Sequence, residues 1–262
     1  MLKHFYFFLL LICCNAAYTQ DIVRTYNVTA AQQGVAVDAD FFYVVNNSAI
    51  VKYNKEDGRK VAEWTDNDSV LRHLNSGIII DGALYCINSN FPEIPMASSL
   101  EIFDPNTLEH LDNHSFGILN GSATWVDKYN GYWYVAFAHY TGGGGEEGKS
   151  NAWTRLVKFD SDWRQIESWI YPKELIKKFQ NSSNSGGVIL SDGKILCTGH
   201  DNYEIYLLEF PDKGYTLNWI DTFPVGSYGQ GIAIEKSGDS ELIYGIIRKD
   251  KKVVVTKLKY IN

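Results

Sequence analysis

"QGVAVDADFFYVVNNSAIVKYNKEDGRKVAEW", residues 33–64, holds four short apolar segments separated by turns. Each segment is too short for a helix, is rich in Val, Phe or Tyr, and is bounded by Asp, Asn or Gly, which is the pattern of β-strands. The same grammar returns in "SGIIIDGALYCINSNFPEIPMASSLEIFDPNTLEHL" at 76–111 and in "GSATWVDKYNGYWYVAFAHY" at 121–140, which continues after an insertion as "TRLVKFDSDWRQIESW" at 154–169. A fourth copy is "GGVILSDGKILCTGHDNYEIYLLEFPDKGYTLNW" at 186–219, and a fifth, at 230–262, stops one strand early.

Each unit opens on a small residue, Gly34, Gly77, Gly121, Gly187 or Gly231. A tight turn follows the first strand, at Asp81-Gly82, Asn130-Gly131, Asp192-Gly193 and Ser237-Gly238, and such pairs are strong hairpin signals. Trp64, Trp169 and Trp219 mark the fourth strands. Five four-stranded meanders of about 45 residues each predict an all-β fold, a five-bladed β-propeller. The segment "IVRTYNVT" at 22–29 alternates correctly to supply the strand that the last unit lacks. Pairing the N-terminal and C-terminal strands in one blade would close the ring and remove open edges. An open β-sandwich would leave the five-fold grammar unexplained. One helix is expected over 172–180, where Pro172 suits the first turn and Leu175, Ile176 and Phe179 share a face.

Residues 1–20 read as a signal peptide: Lys3 and His4, an apolar run over 5–14 too short to span a bilayer, then Asn15-Ala16-Ala17 for cleavage. The expected location is therefore secreted or periplasmic, with residues 21–262 forming a single propeller domain and no later membrane span. Cys13 stands where a lipidated Cys14 would need a small neighbour, which argues against a lipid anchor. Only Cys86 and Cys197 then remain, at equivalent points of non-adjacent units, so two buried free thiols are expected. A net charge of −7 argues against nucleic acid as a partner. Seventeen Tyr and seven Trp suit a β core, with a sugar-stacking surface as the functional alternative.

In a propeller one end carries the turns between strands one and two and between strands three and four. Here those are plain, and His110 and His114 near them are expected to be solvent-exposed. The other end is chemically richer, and loops on a rigid scaffold tend to carry function. It gathers Gln33, Asn46, His73, Asn75, Asn88, Asn90, Ser122, Asn184, Asp201 and Gln230 as candidate substrate-binding groups around the channel mouth. His139, Tyr140, His200 and Arg248 are the candidate catalytic groups, with His139 and His200 coming from adjacent blades and so able to meet over the channel. The run "TGGGGEEGKSN" lacks the strand, helix and Lys-Ser/Thr spacing of a phosphate loop and suits a flexible lid.

The stretches "HLNSGIIIDGALYCINSNFPEIPMASSLEIFD", "HSFGILNGSATWVD", "NSGG", "CTGHDN" and "GQGIAI" resemble a group of bacterial and fungal propeller proteins labelled cycloisomerase-like. The chain is also similar, over nearly all of residues 21–262, to oligosaccharide dehydratases of bacteria that degrade ulvan, a sulfated rhamnose and uronic acid polymer. This resemblance implies a carbon-oxygen lyase acting on an acidic oligosaccharide.

The residues can support that chemistry. Arg248 could pair with a uronate carboxylate, His200 or His139 could take the C5 proton, and Tyr140 or the other histidine could protonate the departing oxygen. Asp201, if the strand continues past His200, would point elsewhere. No cofactor is assigned, and a metal ion held at the channel mouth by His73, His139 and His200 is a competing use of the same side chains. A non-catalytic secreted sugar-binding propeller, with Phe91 or Trp153 as stacking platforms, and a lactonase or cycloisomerase are the other readings.

Overall fold

The computed structural model describes residues 21–237 and 240–258, and it forms five four-stranded antiparallel sheets. Strand β1 is Asp21–Asn27. Blade one holds β2 (Gly34–Val37), β3 (Phe41–Asn46), β4 (Ala49–Asn54) and β5 (Lys60–Thr65). Blade two holds β6 (His73–Ile80), β7 (Ala83–Ser89), β8 (Ser98–Phe103) and β9 (His110–Gly117). In blade three follow β10 (Ser122–Tyr129), β11 (Tyr132–Ala138), β12 (Arg155–Phe159) and β13 (Gln165–Ile170). A short helix, α1 (Lys173–Lys178), leads into blade four, with β14 (Gly186–Ile189), β15 (Ile195–Thr198), β16 (Glu204–Glu209) and β17 (Asn218–Pro224). Blade five comprises β18 (Ala233–Ser237), β19 (Ser240–Ile247) and β20 (Lys252–Leu258), completed by β1 on the edge of β20.

The ring therefore closes by its two ends, as the alternation of residues 22–29 implies. Residues 1–20, expected to be a signal peptide, and the Gly238 turn of the last unit lie outside the described residues. Pro172 caps α1, and Leu175, Ile176 and Phe179 are buried between blades three and four, as their spacing predicts. No helix among the described residues is long and apolar enough to cross a membrane.

Each pair of adjacent blades encloses its own core. Phe42, Val44 and Tyr53 of blade one pack on Tyr244, Ile246 and Val253 of blade five, and Leu156 and Trp125 of blade three pack on Cys197 and Tyr206 of blade four. Both faces of a blade are thus covered, so the middle strands read as unbroken apolar runs such as "FFYVV". Cys86 and Cys197 are buried free thiols, and burial pushes both well above the ordinary thiol range.

Small residues close the centre of the ring. A Cβ on Gly34 would lie 2.8 Å from the Asn75 carbonyl and 3.1 Å from the Gly231 Cα, so the innermost strands touch backbone to backbone there. Gly187 has a different task, because a Cβ on it would lie 2.5 Å from the Trp125 ring. Gly187→Ala must displace that ring in a filled core and is expected to cost about 1–3 kcal/mol. A lowered melting temperature checks this, and an unchanged one would contradict the packing described.

The plain end differs from expectation at both histidines. His110 Nε2 lies 2.7 Å from the Glu101 carboxylate, which is itself buried in β8. His114 stacks on Trp163 with centroids 4.7 Å apart. Neither is simply solvated: a carboxylate inside an apolar wedge needs a partner, and an imidazole half-covered by two aromatic rings has lost water, which lowers its pKa.

Candidate functional site

The closure at Gly34, Ser76, Gly186 and Gly231 divides the central channel, leaving a blind cavity of roughly 450 Å³ on the loop-rich end. Its wall includes Gln33, His73, Asn75, Phe91, Tyr140, Thr141, Gly142, Gly143, Asn181, Ser182, Ser185, His200, Gln230 and Arg248.

Strand register decides which side chains reach it. Gly186 pairs with Thr198, Ser122 with Ala138 and Gly34 with Val45. Two residues beyond those partners stand His200, Tyr140 and Asn47. The register of β18 on β19, carried past Ala233–Tyr244, brings Arg248 to the same position. His200, Tyr140 and Arg248 line the cavity, and Asn47 accepts a hydrogen bond from the cavity residue Gln33 at 2.7 Å. One residue earlier, the side chain faces away.

That parity moves His139 off the channel. It is 1% exposed, packs toward Trp153, and its backbone N–H donates to Thr154 Oγ1. His139 and His200 therefore do not meet, and His73 takes the place beside His200 that His139 was expected to fill. Burial, with Lys149 nearby, lowers the His139 pKa. Asn46, at the equivalent position of blade one, is likewise off the cavity wall, and so is Trp153.

Other expected binding groups prove to be structural. Asn184 is fully buried: it accepts from Trp125 Nε1 at 2.6 Å and from the Tyr171 hydroxyl at 2.8 Å, and donates to the Gly186 and Thr198 carbonyls. Asn88 accepts from the His73 N–H and donates to Ser99 Oγ, so it holds His73 from behind. Asn90 ties its own loop through Pro95 and Ala97. Ser122 donates to Ser89 Oγ beneath Tyr140.

Arg248 is the electrostatic centre. Its Nε donates to the Gln32 carbonyl at 2.8 Å, and Nη2 donates to Gln33 Oε1 at 3.2 Å and Gln230 Oε1 at 2.6 Å. All three acceptors are neutral. Among the described residues no carboxylate forms an ion pair with it, Asp201 acting only at longer range, and burial is what lowers the Arg248 pKa. Gln230, held at φ 70°, also donates from Nε2 to the His200 carbonyl, so the arginine and the histidine share one support.

Asp201 does not point away as a continuing strand would require. The chain turns at 199–202, and the carboxylate comes within 2.7 Å of His200 Nδ1. The geometry is poor for a hydrogen bond, so Nδ1 is left without a hydrogen-bond partner. The amide oxygen of Asn75, in a residue 5% exposed, has no hydrogen-bond partner. Burial pushes the Tyr140 hydroxyl up to about 12, so it keeps its proton at neutral pH.

The pKa of His73 is lowered to about 4, first by burial and then by the charges of Arg248 and His200. Between pH 4 and the ordinary histidine value near 6.5, the unfolded chain binds a proton that the folded chain refuses. Stability should therefore decline as pH falls through that window. Melting curves of His73→Gln should lose this part of the acid sensitivity, and identical pH dependence in both proteins would contradict it.

The glycine run folds over the wall. Glu146 accepts from the Met96 N–H at 3.0 Å, and Gly144 packs on Phe91, so the insertion of blade three is latched to the long loop of blade two. Phe91 in turn contacts both His73 and Tyr140, with centroids at 5.2 and 4.8 Å. The three-histidine metal set is not assembled, since His139 faces elsewhere. Among the described residues no three His, Cys, Asp or Glu side chains cluster closely enough to hold a metal ion.

No family model matches the chain, and no curated sequence is similar to it. Solved structures share the fold. A luciferin-regenerating enzyme is similar with a TM-score of 0.58 at 10% identity, over 94% of this chain and 96% of that one. A PQQ-bound aldose sugar dehydrogenase from Streptomyces coelicolor gives 0.56 at 13%, over 91% and 97%. A GH43 β-xylosidase/α-arabinofuranosidase from a compost metagenome, solved with xylotriose, gives 0.56 at 13%, over 90% and 95%.

Proposed function

We propose that this protein is a carbohydrate-acting enzyme, a dehydratase that removes water from uronic-acid-containing oligosaccharides of a polymer such as ulvan. The observation that carries the reading is the half-buried Arg248, bonded only to neutral oxygens. A cation held partly out of water without a counter-charge loses hydration that nothing repays. A ligand carboxylate would supply that charge, in an acidic protein whose surface otherwise repels anions. The unpartnered oxygen of Asn75 would accept from a sugar hydroxyl, and the sugar-related names of two similar structures agree with a carbohydrate partner.

In this reading Arg248 binds the uronate carboxylate and spreads the charge that develops when C5 loses its proton. His200 Nε2 takes that proton, with Asp201 stabilising the resulting imidazolium. The electron pair left on C5 forms the C4–C5 double bond as the C4–O bond breaks. Tyr140 gives its proton to the departing oxygen, which leaves as water. His73, neutral at working pH, donates or accepts hydrogen bonds without adding charge. The protein would do this after export, with residues 1–20 as the signal.

Incubation with saturated and unsaturated uronic-acid oligosaccharides, followed by mass spectrometry, tests the reading. Loss of one water by the wild type, abolished in His200→Ala but retained in His139→Ala, is the expected result. Clear binding with unchanged masses across a broad panel would instead mark a sugar-binding propeller.

A further inference from the structure

The loop that delivers His200 continues to Tyr203, whose side chain stays 46% exposed. Its ring contacts that of Tyr228 across the boundary between blades four and five, with centroids 4.7 Å apart and an interplanar angle of 57°. The backbone under this pair is strapped: the Gly229 N–H donates to the Asn202 carbonyl at 3.0 Å, and the Val225 N–H donates to the Tyr203 carbonyl at 3.1 Å. Gly229 also lies against the His200 carbonyl so closely that no Cβ would fit there. Neither ring belongs to the cavity wall, yet Tyr203 is three residues from His200 and Tyr228 two from Gln230, both of which do.

Tyr228 is half-buried, and an exposed ring such as that of Tyr203 presents a face that suits the apolar C–H patches of a pyranose. The cavity is closed at its floor, so a ligand longer than the cavity must leave by the mouth. On the His200 side, the tyrosine pair lies within about 10 Å of chain from the wall residues His200 and Gln230.

The geometry points to Tyr203 and Tyr228 as a separate sugar subsite that holds the ring following the one inside the cavity. The inference rests on the carbohydrate reading above and adds to it a preference for length. A ligand filling only the cavity never reaches the pair, whereas each additional sugar beyond the mouth meets Tyr203 first.

Calorimetric titration of uronate oligosaccharides of increasing length into the wild type, Tyr203→Ala, Tyr228→Ala and Tyr203→Phe tests this, with melting curves to show that each variant is folded. Wild type and Tyr203→Phe should bind the longer ligands alike, because the ring face is kept. The alanine variants should lose about threefold to tenfold in affinity for the longer ligands, as expected for one stacking contact, and nothing for the shortest. Equal losses at every length, or none at any length, would overturn the subsite. Failure of the wild type to bind any length would overturn the carbohydrate reading itself, a result distinct from either.

Discussion

Arg248→Lys is expected to lower kcat/KM on uronate oligosaccharides by about a hundredfold while leaving the protein folded. The charge survives the exchange, but the planar fork does not. An ammonium cannot serve the Gln32 carbonyl, Gln33 and Gln230 from fixed directions and still present two parallel donors to a carboxylate. A loss of about 3 kcal/mol in transition-state binding corresponds to that factor. Because the carboxylate is bound in the ground state and gains charge as C5 is deprotonated, both KM and kcat should suffer. Steady-state kinetics beside a melting curve checks the prediction. Full activity in the lysine variant would remove Arg248 from the centre of the mechanism.

The largest effect on stability should come from a residue that looks like a ligand-binding group. Asn184→Ala strips two donors, Trp125 Nε1 and the Tyr171 hydroxyl, and two carbonyls, those of Gly186 and Thr198, of a buried partner at once. Each orphaned buried group costs about 1–3 kcal/mol, offset in part if water enters the space left behind. A net loss of about 3–5 kcal/mol is expected, which in a domain of this size lowers the melting temperature by about 10 °C. Asn184→Asp should also destabilise, because the two carbonyls lose their donor and meet a charge. A mild effect in both would mean that the wedge between blades three and four does not depend on this amide.

The fold was legible because it is written in backbone requirements. Asp-Gly and Asn-Gly turns, a small residue at each innermost strand and an orphan strand at the N-terminus are consequences of closing a ring, and they recur once per blade. The site was legible as one end of the ring and, there, as Gln33, His73, Asn75, Tyr140, His200, Gln230 and Arg248, which line one cavity.

What was missed depends on single-residue parity and on loop direction. His139 and Tyr140 are adjacent in sequence, and a strand sends them to opposite sides. Placing Ala138 opposite Ser122 and Thr198 opposite Gly186 makes Tyr140, not His139, the equivalent of His200. That signal was present in the repeat, but only an alignment by cross-strand partner reveals it. Asn184 and Asn75 were indistinguishable as letters, since an asparagine that ties backbone together and one that faces a ligand differ only in what surrounds them. Asp201 reaches His200 because the chain turns at 199–202, a bend that the sequence "GHDN" permits without requiring.

The most direct test follows the C5 hydrogen. A uronate oligosaccharide deuterated at C5 should be dehydrated more slowly than the protonated one by the wild-type protein, and the unsaturated product should carry no deuterium at that carbon. Product that keeps its C5 deuterium, or turnover with no loss of water, would contradict removal of that proton by His200 in a cavity built around Arg248.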